Sequence, residues 1–133
     1  LPSRHRKSSR WWRRDGGGLA SVLALVLPGL VFAFQGALVL GVPWGAMAYG
    51  GRAARPDGTL PVRYRVTSTL TLAFLGVAAW AVHAKVEPAL WAFAAIFALN
   101  TMANLSGRHP VERWGMSALT LGLAACCATL ALT

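Results

Sequence analysis

At 133 residues, 56% of them hydrophobic and with a mean hydropathy of +0.51, the chain has no room beside its apolar stretches for a separate soluble domain. Its net charge of +9 comes from basic residues that flank those stretches, which points to anionic lipid headgroups as partners and excludes a nucleic-acid surface. The 13 Lys and Arg and the 4 Asp and Glu all fall outside residues 16–51, 66–84, 88–107 and 114–133. A hydrocarbon core about 30 Å thick takes roughly 20 apolar residues as helix, and a charge held inside it is costly. Unbroken apolar runs, rather than alternating strands of about ten residues, exclude a β-barrel. The fold class expected is therefore all-α: a four-transmembrane-helix bundle over residues 16–133, with spans near 19–42, 64–84, 88–106 and 111–132, preceded by a basic juxtamembrane tail at 1–15.

That tail holds Arg4, Arg6, Lys7, Arg10, Arg13 and Arg14 with Trp11 and Trp12, a composition suited to topogenic and lipid-surface contact. Arg13 and Arg14 are followed by Asp15 and three glycines where a twin-arginine export signal would carry an apolar residue. In the first span, Pro28 is expected to kink the helix and Gln35 is the strongly polar side chain. Ala46, Met47 and Ala48 resemble a signal-peptidase site, but the preceding apolar region is about twice the length of a signal core, so a retained span is expected. Gly41, Pro43, Trp44, Gly45, Gly50 and Gly51 cannot continue as lipid-facing helix and should form a turn or re-entrant piece covered by other helices. Pro56, Asp57 and Gly58 mark a turn in the polar link that follows.

Lys85, Val86 and Glu87 are the whole connection between spans two and three, with Pro88 placed for a first helical turn, so these spans should form a tight antiparallel hairpin. His83 is interfacial, and the three histidines show no metal-ligand spacing. Asn100 and Asn104 share one face of span three, Gly107 suits its C-terminus, and Pro110 and Glu112 suit the start of span four, the latter complementing the helix dipole. Asn100, Asn104, Arg108 and Arg113, with Trp44 as an aromatic lid, make a candidate site for an anionic headgroup or amphiphilic ligand. The competing structural reading is that the two asparagines satisfy the irregular glycine segment. In span four, Gly115, Ala118, Gly122 and Ala125 recur at helical spacing as a small-residue face suited to helix packing. Cys126 and Cys127 are adjacent and form no C-x-x-C site. Trp80, Trp91, Trp44 and Trp114 sit beside the links, at headgroup level.

The set Gln35, Ala37-Leu38, Gly41 to Gly45, Gly50-Gly51, Leu60-Pro61, Arg65, Asn100, Asn104, Ser106 and Glu112-Arg113 resembles a family of small bacterial four-helix integral membrane proteins over roughly residues 19–133. That resemblance implies the fold and carries no activity with it. The sequence fits better-known four-helix families poorly. The first span has no acidic residue of the kind small multidrug exporters use, and the polar track of fluoride channels and the C-x-x-C of quinone-linked epoxide reductases are missing.

No nucleophile, base and orienter can be assembled from these side chains. The expectation is a non-enzymatic multi-pass protein of the cell membrane, without cofactor or metal, binding lipid or partner helices, with homo-oligomerisation open. An oligomeric transporter or channel is the alternative. Seven basic residues lie on the side of the amino-terminal tail and six (Arg52, Arg55, Arg63, Arg65, Arg108, Arg113) on the other; the weight of the first span favours a cytoplasmic amino terminus.

Overall fold

The computed structural model describes the backbone of residues 11–133 and the side chains of 18–133 apart from Ala20; the basic tail, apart from the helical backbone of its last five residues, lies outside them. Four long helices follow in chain order: α1 (Trp11–Leu40), α2 (Val62–Ala84), α3 (Glu87–Leu105) and α4 (Ser117–Ala131), the last preceded by a π-helical turn at Val111–Met116. No strand occurs among the described residues. The stretches Ser21–Leu40, Val62–Ala84, Glu87–Leu105 and Val111–Ala131 are each long and apolar enough to cross a membrane, within two residues of the expected ends. Consecutive spans run antiparallel, so the links after α1 and α3 share one end of the bundle.

The helix ends follow from local chemistry. α1 runs unbroken through Pro28 and stops at Gly41, whose φ of 90° only glycine adopts at no steric cost. Gly41 N donates to Leu38 O at 3.2 Å and Val42 N to Ala37 O at 3.0 Å, a Schellman cap that satisfies two terminal carbonyls. The Arg65 guanidinium satisfies a third, with Nε 2.9 Å from Val39 O. α2 ends the same way: Lys85 takes φ 50°, and Val86 N donates to Ala81 O at 3.1 Å. A left-handed non-glycine residue is locally unfavourable, and here it allows the chain to reverse over Lys85 and Val86.

The link between α1 and α2 is folded chain. Short 3-10 turns at Gly45–Met47 and Tyr49–Gly51 follow Trp44, and Gly45 N donates to Gly58 O at 2.9 Å. A Cβ on Gly45 would come 2.8 Å from that oxygen, so glycine is required for the close approach. Asp57 closes the adjacent turn by accepting from Thr59 N at 3.0 Å and Thr59 Oγ1 at 2.7 Å, bonds that hold its carboxyl below the usual carboxylate range. Leu38, Ala48 and Leu60 pack beneath this link, with Tyr49 and Tyr64 against them.

The main core joins Val31 of α1, Leu75 of α2, Phe93 and Phe97 of α3, and Leu123 and Cys127 of α4. α3 packs most extensively on α4, and α1 on both α2 and α4. One expectation is corrected. The helices α2 and α3, although joined by the shortest link, do not form a tight hairpin: they pack less extensively than those pairs. They meet through Phe74, whose ring lies 5.1 Å from Phe93 and 5.9 Å from Phe97, because large rings hold the backbones apart. The small-residue face of α4 is turned mostly outward in the single chain. Gly115, Ala118 and Ala125 are exposed, while Ser117, Thr120, Leu123, Ala124, Cys126 and Cys127 are buried. Gly122 is half-buried against α1, with a Cβ there meeting Leu27 Cδ1 at 2.8 Å. Burying Leu123, with Cys127 one turn on, removes more apolar area than burying the glycine and alanine face would.

Candidate functional site

Because α2 and α3 stand apart, a cavity of about 570 Å³ remains inside the bundle, at the end capped by the link between α1 and α2. Its volume falls within the range of small-ligand sites. Phe34, Phe74, Leu75 and Phe97 supply apolar wall, while Gln35, Arg52, Asn100, Asn104, Glu112 and Thr120 supply polar groups. Asn100 and Ala103 of α3 and its C-cap Ser106 line the cavity, are exposed and lie three apart; Arg52 on the link is exposed too. The mouth therefore lies between that edge of α3 and the link. Asn100 is five residues from the end of α3, roughly 8 Å at the helical rise, so the mouth lies near the end of the apolar stretch Glu87–Leu105.

The most unusual group in the wall is Glu112, which is only 5% exposed. Its Oε1 accepts from Gly50 N at 2.8 Å, and its Oε2 is buried with no hydrogen-bond donor. Local backbone explains how the chain tolerates this. Tyr49, Gly50 and Gly51 are three successive residues at positive φ, 53°, 75° and 70°, and this left-handed run turns the Gly50 N–H toward α4. The π-helical turn at Val111–Met116 aims Glu112 inward; such turns recur at functional sites. Gly107 makes the room, since a Cβ there would lie 2.6 Å from Glu112 Oε2.

A second polar element ties α3 to α4. The hydroxyls of Thr101 and Thr120 are 2.8 Å apart and lie 2.9 Å from Phe97 O and Met116 O respectively, so one hydroxyl donates across to the other while the second donates to its own backbone carbonyl. Asn104 Nδ2 reaches Thr120 Oγ1 at 3.5 Å. On the other side of the link, the Tyr49 hydroxyl is 2.8 Å from Ser68 Oγ, and Ser68 is fully buried. Burial raises the Tyr49 phenol above its ordinary value, with the Ser68 hydrogen bond opposing the shift. Gln35 Oε1, like Glu112 Oε2, is buried without a partner.

Of the candidate site residues, Asn100 and Asn104 line the cavity and Trp44, Arg108 and Arg113 do not. Trp44 is 43% exposed and stacks on Phe34 at 6.2 Å, so it backs the wall from behind. Arg113 is exposed with its guanidinium over the Trp114 ring at 5.3 Å. Arg108 is exposed beside Gly51, its Cβ 3.9 Å from where a Gly51 Cβ would stand. The glycine segment thus does fold over the ends of α3 and α4, but Glu112 rather than an asparagine satisfies the Gly50 N–H there. Glu112, Arg52, Tyr49 and Thr120 are the residues sequence reasoning missed. Glu112 carried a signal: it stands one residue inside the fourth apolar segment, Val111–Ala131, where an acidic side chain is unusual.

Among the described residues no group of three or more His, Cys, Asp or Glu side chains could hold a metal ion. No protein-family model, curated protein or solved structure matches this chain.

Proposed function

We propose that the chain is a non-enzymatic multi-pass protein of the cell membrane, its amino terminus cytoplasmic, that binds membrane lipid through the cavity between α2 and α3. The observation that carries this reading is the cavity itself: phenylalanine walls joined to amides, a carboxylate and a guanidinium, open near the end of an apolar helix. Such a set matches an amphiphile, whose polar end needs hydrogen-bond partners and whose apolar end needs none. Exposed Leu99 and Met102 beside the mouth offer a surface along which acyl chains can run. The test is native mass spectrometry of protein extracted in mild detergent. One retained lipid per chain is expected, and Thr71→Trp, which fills the cavity, should expel it. Protein that carries no lipid under conditions preserving the fold would reject the reading.

A second reading, an oligomeric transporter or channel, is favoured by one observation: a buried carboxylate in an apolar span is the kind of group that couples ion movement. Reconstituted liposomes distinguish the two, because the lipid-binding reading expects no Glu112-dependent proton or cation flux.

A further inference from the structure

Glu112 narrows the class of headgroup, given the lipid-binding reading on which this inference rests. A carboxylate buried in a membrane segment needs counter-charge and donors. Glu112 has one backbone N–H on Oε1 and none on Oε2. It makes no ion pair with the other described residues. Gln35 Oε1, which also lines the cavity, is a second acceptor without a donor. The interior of the cavity thus holds a carboxylate without counter-charge and two buried acceptor oxygens without donors.

The mouth has the opposite character. Arg65 is engaged with Val39 O, Arg63 lies over Tyr64 and Arg113 over Trp114. Arg52 lines the cavity, is exposed, and makes no hydrogen bond or ion pair with the other described residues. A guanidinium so placed is suited to a phosphate, which it can grip with two parallel hydrogen bonds.

An acceptor-rich, negatively charged interior behind a cationic rim is complementary to a headgroup that carries a terminal amine beyond a phosphate. We infer that the cavity takes a zwitterionic phospholipid with a primary amine, a phosphoethanolamine-type headgroup, with the ammonium toward Glu112 and Gln35 and the phosphate at Arg52. A quaternary choline headgroup brings the charge without N–H donors, and a glycerol headgroup brings donors without the charge.

The experiment offers the detergent-solubilised full chain equal amounts of phosphatidylethanolamine, phosphatidylcholine and phosphatidylglycerol and reads the bound lipid by native mass spectrometry. The ethanolamine lipid should be retained about tenfold over either competitor, the size expected of one charge-assisted hydrogen bond. Glu112→Gln keeps an acceptor for Gly50 N while removing the charge, and should erase that preference. Arg52→Gln removes the phosphate contact common to the three lipids and should weaken retention of all of them while leaving the ethanolamine preference; unchanged retention would overturn the assignment of the phosphate to Arg52. Soluble glycerophosphoethanolamine at the same concentration should not displace the lipid; displacement would overturn the lipid assignment in favour of a free headgroup ligand. Wild-type protein that retains lipid but without preference for the ethanolamine headgroup, or a folded Glu112→Gln variant that keeps the preference, overturns the inference while leaving lipid binding intact. Wild-type protein that retains none of the three rejects the lipid-binding reading itself.

Discussion

The backbone N–H of Gly50 and the Glu112 carboxylate meet at 2.8 Å across 62 positions of sequence, joining the link after α1 to the start of α4. A hydrogen bond to a charged acceptor contributes about 1.5 to 3 kcal/mol where water is excluded. It ties the link to the start of α4 at the capped end of the bundle. The same carboxylate is part of the cavity wall, so loop position and the charge of the site are coupled through one side chain.

Removing that acceptor should loosen the cap. Glu112→Ala leaves the Gly50 N–H without a partner and should cost about 1 to 3 kcal/mol, read as a lower unfolding midpoint in detergent. Glu112→Gln retains an acceptor oxygen and should stay close to wild type. Equal loss in both variants would place the stabilisation in the charge rather than in the bond.

Gly107→Ala puts a methyl group 2.6 to 2.8 Å from three atoms of the Glu112 side chain. The carboxylate must then leave its seat, and overpacking of this kind costs about 1 to 3 kcal/mol. Hydrogen exchange at the Gly50 amide should accelerate in this variant as its acceptor withdraws. Unchanged protection there would show that Glu112 can be accommodated elsewhere without losing Gly50.

The two sides of α4 should respond differently to added volume. Gly122→Leu drives atoms into Leu27 of α1, where even a Cβ would lie at 2.8 Å, and should lower detergent stability by about 1 to 3 kcal/mol. Ala118→Leu, on the exposed face, should leave the monomer unaffected. A change in oligomeric state with Ala118→Leu, seen by size-exclusion chromatography with light scattering, would locate a partner helix on that face.

Tyr49→Phe leaves the Ser68 hydroxyl, fully buried, without its tyrosine partner and should cost about 1 kcal/mol. The phenol also sets an alkaline limit. Its folded-state pKa is raised above the ordinary value, so the neutral form is favoured in the fold. That contribution is complete below the unfolded pKa of about 10 and is lost as pH rises through the folded value. Unfolding midpoints measured on rising pH should fall above that point in the wild type and fall less in Tyr49→Phe.

How far the sequence alone reached follows from which interactions are local. The four spans, their ends and their antiparallel order were legible because hydrophobic length and exclusion of charge are properties of each segment by itself. The turn at Pro56 to Gly58 and the break at Gly41 were legible for a similar reason, since both rest on backbone preferences of single residues. The rotation of each helix was not. α2, α3 and α4 are apolar on nearly every side, so no amphipathic stripe marks an inner face, and the regular spacing of Gly115, Ala118, Gly122 and Ala125 pointed to a face that the bundle leaves largely exposed. Only packing of the four helices together decided that Leu123 and Thr120 turn inward, that Phe74, Phe93 and Phe97 hold α2 and α3 apart, and that the resulting cavity has Glu112 in its wall. The burial of Glu112 depends on a π-turn, a left-handed tripeptide and a missing Cβ at Gly107, distant in sequence and meaningful only once they meet.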